Sequence, residues 1–160
     1  MIDRTPRSNA MKKSWIEFNE VFTRSPMSFW VHRPPKKIEW GDEFQPSKLD
    51  PGAFTPPLPR GVPGRGYPML HVQFNEVALR FASMAELDRM IDVLSRRKLP
   101  TTYEAQREER EPNEGFRNQH WLSRLPGALL SFSTREKVVS LLNQAKGDFA
   151  KVAGCAADGH

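Results

Sequence analysis

The residues best suited to chemistry lie in one short stretch, FRNQHWLSRLP, at positions 116–126. Arg117 and Arg124 stand three residues before and four residues after His120, so a helix would place all three on one face. Two guanidinium groups beside a histidine and the indole of Trp121 suit an anion, either a phosphate or a carboxylate of a partner. The stretch therefore predicts an anion-binding or partner-binding face. The alternative is the solvated outer face of a docked helix.

A catalytic role for His120 needs a partner that the neighbouring sequence lacks. A histidine that acts as a general base is oriented by a carboxylate on its other ring nitrogen. The nearest acidic residue, Glu114, is six residues away across Gly115. The sequence also lacks the HExxH, CxxC and nucleophile-elbow patterns. We predict no catalytic residue and no metal or cofactor site, and we keep a small enzyme with a site around His120 as an alternative.

A second pair of candidate residues lies on a β-hairpin that the sequence predicts over residues 69–82. Apolar and polar residues alternate on both sides of Asn75-Glu76, as expected for two strands joined by a two-residue turn. The register pairs Phe74 with Val77 and places His71 opposite Arg80 on the other face. His71 and Arg80 are therefore candidates for the same anion or partner contact. The alternative is an ordinary solvated sheet face.

Two charged patterns carry weaker predictions. Asp88 and Asp92 are one helical turn apart, which suits a metal or an acid–base pair, but Arg96 one turn later favours a plain ion pair. The basic clusters at 36–37 and 96–98 could contact a nucleic-acid backbone, although solvation of a loop and of a helix end is the favoured explanation.

Several further elements are predicted around the hairpin. A helix over 84–98 begins at a Ser83/Glu86 capping box, and a last helix to about residue 152 begins at Ser133/Glu136. Capping spacing and an apolar face also predict a helix over 14–24. The remaining predictions are a third strand at 128–132, a short helix at 116–125, a solvated helix or mobile connection at 101–111, and a break at Gly147.

Residues 26–68 differ in character from the rest, because they hold ten of the 14 prolines. Such a segment can be neither a long helix nor a central strand. Its aromatic residues are too frequent for a free linker, and we take Trp30, Trp40, Phe54 and Tyr67 as anchors. The segment therefore predicts an extended, proline-stiffened arm with short edge strands at 28–32 and 37–40.

Length and composition limit the class of protein. A chain of 160 residues suits one domain, and a net charge of +5 permits contact with nucleic acid or an acidic partner without requiring either. The apolar runs are far shorter than the roughly 20 residues that cross a membrane, and the first residues lack an apolar signal segment. The single cysteine, Cys155, cannot form an internal disulfide. We expect a cytoplasmic protein without membrane association.

These patterns together predict an α+β fold. A small antiparallel or mixed sheet, made of the hairpin and a third strand, is covered on one face by two amphipathic helices. The expected organisation is an N-terminal segment with a short helix (1–25), the arm (26–68), the α+β domain (69–152) and a flexible tail (153–160).

The missing catalytic constellation and the aromatic arm favour a non-enzymatic binding protein. We expect it to bind a protein or nucleoprotein complex as an adaptor or inhibitor, for example as a bacterial phage or mobile-element accessory factor. Direct binding of DNA or RNA through a mild basic face is the alternative.

Overall fold

The fold is α+β, as predicted, with a small antiparallel sheet and several helices. A computed structural model describes residues 12–33, 51–109 and 120–158. Three strands, β1 (Lys12–Asn19), β2 (Tyr67–Phe74) and β3 (Val77–Phe81), form a sheet in that order. The helices are α1 (Ser28–Val31), α2 (Met84–Leu94), α3 (Thr102–Glu109) and α4 (Phe132–Asp158). Short 3-10 turns occupy Pro51–Ala53, Trp121–Arg124 and Gly127–Leu130.

The predicted hairpin is confirmed together with its register. Phe74 pairs with Val77, and His71 lies opposite Arg80. Asn75, the first residue of the turn, has a φ of 54°. Asparagine adopts this left-handed region more readily than most other residues, which is why it can replace glycine here.

One face of the sheet carries the core. Leu70, Val72 and Phe74 of β2 are buried on this face together with Val77 and Phe81 of β3. Helices α2 and α4 pack against each other and cover it. The predicted covering of one sheet face by two helices is therefore confirmed, and the opposite face is left to position polar residues.

The predicted N-terminal helix over 14–24 is wrong, because residues 12–19 form β1, antiparallel to β2. The sequence fits both periods: Trp15 and Phe18 share a helical face, but Ile16 and Phe18 also alternate with Trp15 and Glu17. Aromatic and β-branched residues favour a strand when a neighbour supplies main-chain hydrogen bonds. Ile16 packs against the core, whereas Trp15 lies on the outer face and is 39% exposed.

The predicted third strand at 128–132 is also wrong. Gly127–Leu130 is a 3-10 turn in which Leu129 is buried and Leu130 is 75% exposed. Helix α4 starts at Phe132, and the hydroxyl of Ser131 accepts the N–H of Thr134 at 3.4 Å, so Ser131 replaces the predicted cap Ser133. The apolar run suggested a strand buried on both sides, but only one of its side chains reaches the core.

Helix ends differ from the predictions for identifiable reasons. Helix α2 ends at Leu94 instead of residue 98, because the buried guanidinium of Arg135 binds the carbonyls of Leu94, Arg96 and Arg97. Helix α4 continues through Gly147 to Asp158, into the predicted tail. Gly147 is exposed and a Cβ there would meet open space, so the expected break does not occur.

Residues 102–109 form a helix rather than a mobile connection. Thr101 and Glu104 cap it reciprocally, with N–H to side-chain oxygen distances of 3.1 and 2.9 Å. Ion pairs then join α3 to α2. The Arg96 guanidinium, hydrogen-bonded to Glu108 at 2.9 Å, holds the pKa of that carboxyl at about 2. The predicted ion pair between Arg96 and Asp92 is confirmed at 3.1 Å.

The described parts of the proline-rich arm pack against the fold. Residues 28–31 form a helical turn instead of the predicted strand. The predicted anchors Trp30 and Phe54 are buried, and Tyr67 is a half-buried residue of β2. Trp40 and the predicted strand at 37–40 lie outside the described residues. Among the helices of the described part, none has both the length and the apolar character needed to cross a bilayer.

Candidate binding site

A cavity of about 250 Å³ opens along the edge of β3 that no described strand pairs with. Three consecutive residues, Ala78, Leu79 and Arg80, line it. Because neighbouring residues of a strand point to opposite faces, the cavity follows the edge of the strand and not one face of the sheet. Residues 26–27, Trp121 and residues 124–126 supply further parts of its lining.

The floor of the cavity is apolar and built from three separate segments. Met27 precedes α1, Met90 belongs to α2 and Trp121 begins a 3-10 turn, and each is at most 2% exposed. Methionine side chains adapt easily to the shape of an apolar group. The floor therefore suits an apolar side chain or ring.

The rim of the cavity is basic. Arg80 and Arg124 are exposed, and neither makes a hydrogen bond or ion pair with any residue that the structure describes. Other arginines are engaged: Arg89 and Arg96 bind carboxylates, and Arg135 binds carbonyls. Two guanidinium groups are thus available to an anion at the mouth of an apolar cavity.

His71 extends the rim across the outer face of the sheet. The register places Trp15, His71 and Arg80 in one row on three neighbouring strands. The Trp15 and His71 rings stack with centroids 5.1 Å apart, and His71 Nε2 lies 2.9 Å from a carboxylate oxygen of Glu17. His71 is therefore already oriented by two neighbours beside Arg80, which has no partner among the described residues.

His120 lies inside the fold, which corrects the prediction of an exposed helix face. It is 2% exposed and precedes the 3-10 turn, with its ring 4.7 Å from that of Trp30. Its Nδ1 accepts the N–H of Leu122 at 3.0 Å, so Nε2 carries the hydrogen and donates it to Glu109 at 2.8 Å. Both ring nitrogens are engaged within the protein, which leaves none for a substrate.

Glu109 holds the side chains beneath the cavity in place. Besides His120, its buried carboxylate accepts hydrogen bonds from Trp121 Nε1 at 2.9 Å and Arg89 Nε at 2.8 Å. These bonds fix the indole that forms part of the cavity floor. The sequence prediction missed Glu109 because it is 11 residues from His120, outside any local helical spacing.

A second buried carboxylate, Glu86, fixes the opposite wall. The hydroxyls of Ser25 and Ser28 and the N–H of Ala82 all donate to it. The predicted capping by Ser83 is confirmed on one side, since Ser83 Oγ accepts the Glu86 N–H at 3.2 Å. The carboxylate itself holds residues 25–28 instead, and thereby places Met27 in the cavity floor.

His32 and Ser83 join this network, but in an arrangement that suits structure rather than nucleophilic catalysis. His32 Nε2 lies 2.7 Å from Ser83 Oγ, and Nδ1 donates to the carbonyl of Pro56 at 2.8 Å. A catalytic histidine would be oriented through Nδ1 by a carboxylate. His32 and Ser83 are at most 4% exposed. Their hydrogen bonds connect α1, the arm and α2 within the protein interior.

The structure brings four predicted site residues to one cavity: His71, Arg80, Trp121 and Arg124. His120 supports Trp121 from below, and Arg117 lies outside the described residues. Within the described ranges, no group of three or more His, Cys, Asp or Glu side chains is placed to hold a metal ion. Sequence reasoning missed the cavity floor residues Met27 and Met90, which only the tertiary fold brings together.

Comparison with known proteins identifies no relative that informs this site. No protein-family model matches the chain, and neither the curated proteins nor the solved structures contain a match. The geometry of the cavity is therefore the basis of the proposed function.

Proposed function

We propose that the protein is a non-enzymatic binding protein, an adaptor or inhibitor, that captures a short acidic and apolar segment of a partner protein. The observation that carries the proposal is that Arg80 and Arg124, two guanidinium groups without a partner among the described residues, lie above the apolar cavity. Carboxylates of the partner would bind the guanidinium groups, and an apolar side chain would enter the cavity.

The size of the cavity favours a side chain over a whole small-molecule ligand. Pockets for small molecules and cofactors measure about 300–1,000 Å³, whereas this cavity measures about 250 Å³. A single large apolar side chain needs less room, and such anchors carry much of the affinity of protein interfaces.

The two buried histidines, His120 and His32, support binding rather than turnover. His120 and His32 use both ring nitrogens within the protein, and His71 is paired with Glu17. A general base must reach the proton that it removes. Of the histidines in the described part of the chain, only His71 lies at the cavity and is partly exposed.

Single-stranded nucleic acid is the second candidate partner, and Trp15 is the observation that favours it. This exposed indole lies on the outer sheet face, with the Lys13 ammonium 5.3 Å from its ring centroid. Bases stack on exposed aromatic side chains, although one face of this indole is already stacked on the His71 ring. Glu17 lies on the same face beside His71, however, and would repel phosphates. We therefore favour the protein partner.

Peptide display tests the proposal directly. Random dodecapeptides are selected on the wild-type protein, and the affinity of the recovered peptides is measured by fluorescence anisotropy. We expect recovered peptides to combine acidic and apolar residues, and the double variant Arg80→Glu/Arg124→Glu to bind them at least about 10-fold more weakly. A labelled oligothymidylate is titrated in parallel as the nucleic-acid probe.

The matched control is Lys137→Glu/Lys151→Glu, which changes the net charge equally at two exposed positions of α4 outside the cavity. It should leave the affinity within about twofold of the wild type. Equal losses in both double variants would mean that binding follows overall charge, and would contradict the proposal. Salt-dependent oligothymidylate binding without any recovered peptide would favour nucleic acid instead.

A further inference from the structure

We infer that the partner segment binds as a fourth strand, paired through its backbone with the free edge of β3. The inference rests on the proposed function and specifies how the cavity is used. The described sheet has the order β1-β2-β3, so β3 is paired with β2 on one side only. An extended peptide that adds to such an edge gains main-chain hydrogen bonds, while pockets beside the strand select its side chains.

The register identifies the groups that face outwards. In an antiparallel pair, successive residues alternate between pairing with the neighbour and pointing away from it. Phe74 and Val77 flank a two-residue turn and form a hydrogen-bonded pair, so Leu79 and Phe81 also bond towards β2. Ala78 and Arg80 therefore direct their N–H and C=O groups to the free edge. No described residue accepts or donates a hydrogen bond there.

The positive charge beside the edge of β3 indicates which kind of segment binds there. A second copy of this chain would bring Arg80 and Arg124 of both copies together, and like charges beside a shared edge repel. A strand that carries carboxylates is attracted by the same two arginines. The occupant that complements this edge is therefore an acidic segment of a different protein.

The cavity also predicts the pattern of the bound segment. Side chains of an added strand alternate between the two faces of the sheet. Arg80 projects to the outer face with His71, whereas Leu79 lies on the other face, towards the core. Acidic residues facing Arg80 should therefore alternate with apolar residues facing the cavity floor.

Backbone N-methylation separates strand addition from other ways of binding. The probe is the tightest peptide recovered by display, remade with one backbone N–H methylated at a time. We expect methylation to weaken binding at least about 10-fold at alternate positions and less than about threefold at the positions between. Amide hydrogen exchange of the protein is measured with and without the same peptide. Addition should slow the exchange of the Ala78 and Arg80 N–H groups at least about 10-fold.

Each outcome decides between the two proposals. Alternating losses together with slower exchange at Ala78 and Arg80 support strand addition. A peptide that needs Arg80 and Arg124, but tolerates every methylation and protects neither amide, overturns this inference and leaves the proposed function standing. Failure to recover any peptide that depends on the two arginines overturns both. Protection that grows with protein concentration alone would show that a second copy closes the edge.

Discussion

Replacement of Glu86 should cause a large loss of stability for a change at a single polar residue. Its fully buried carboxylate accepts hydrogen bonds from two hydroxyls and from the Ala82 N–H, the last at 2.9 Å. Hydrogen bonds to a charged group contribute about 1.5–3 kcal/mol each, and an unsatisfied buried N–H costs about 1–3 kcal/mol. In Glu86→Leu the hydroxyls of Ser25 and Ser28, 3.4 Å apart, can still bond each other. We therefore expect a loss of about 3–5 kcal/mol.

The loss is large beside the total stability of an ordinary domain, about 5–15 kcal/mol. For a chain of this size it corresponds to a decrease in Tm of about 6–20 °C. Glu86→Gln keeps the shape and one carbonyl acceptor, and should lose about 1–2 kcal/mol. Urea unfolding followed by circular dichroism measures both variants.

Asp88→Asn is the matched control on the same helix. Asp88 is exposed and pairs with Lys146 at 2.7 Å, so its replacement should cost less than about 1 kcal/mol. If Glu86→Leu is no less stable than this control, the buried network does not hold residues 25–28. The position of Met27 in the cavity floor would then need another explanation.

Three further changes test other parts of the fold. Gly147→Ala should raise the free energy of unfolding by about 0.5–1 kcal/mol, because the exposed position lies inside α4 and a methyl group meets nothing there; a loss of stability would contradict the continuous helix. Because the pKa of Glu108 is lowered in the folded protein, its ionised form stabilises the fold. This stabilisation is fully present above pH 4.5 and decreases progressively as the pH falls towards 2. Because Glu108 is exposed, the free energy of unfolding of the wild type should fall over that pH range by less than about 1 kcal/mol more than that of Glu108→Gln, as measured by urea unfolding. An identical pH dependence of the two proteins would contradict the ion pair. Trp121→Phe keeps an aromatic floor but removes the donor to Glu109, and should cost about 1–3 kcal/mol in the same assay; an unchanged stability would show that this bond contributes nothing.

The parts of the fold that follow from local sequence could be predicted. Alternation around Asn75 defined the hairpin and its register, and the Ser83 cap located the start of α2. Strand β1 could not be recognised, because its apolar residues fit a helical and an extended period equally well. Pairing with β2, which begins 48 residues after the end of β1, decides between them. Such long-range hydrogen bonds leave no mark in a short stretch of sequence.

Some residues of the candidate site could likewise be predicted from local sequence, and others could not. His71 and Arg80 followed from the hairpin register. Arg124 was selected for a helical spacing with His120, but residues 121–124 form a 3-10 turn and the cavity brings Arg124 to the site for another reason. Glu109 and Glu86 could not be found, because each is surrounded by donors that are distant along the chain. Local spacing predicts neighbours on one element, whereas a buried carboxylate shows its role only after several elements have packed.

A charge-swap experiment tests the central claim most directly. The tightest displayed peptide is measured against the wild type and Arg80→Glu, each with the original peptide and with its essential acidic residue replaced by lysine. If the guanidinium of Arg80 binds that carboxylate, each single change should weaken binding about 10-fold, and the two changes together should restore most of the affinity. Additive losses without any recovery, or full binding by Arg80→Glu, would contradict a site at the edge of β3.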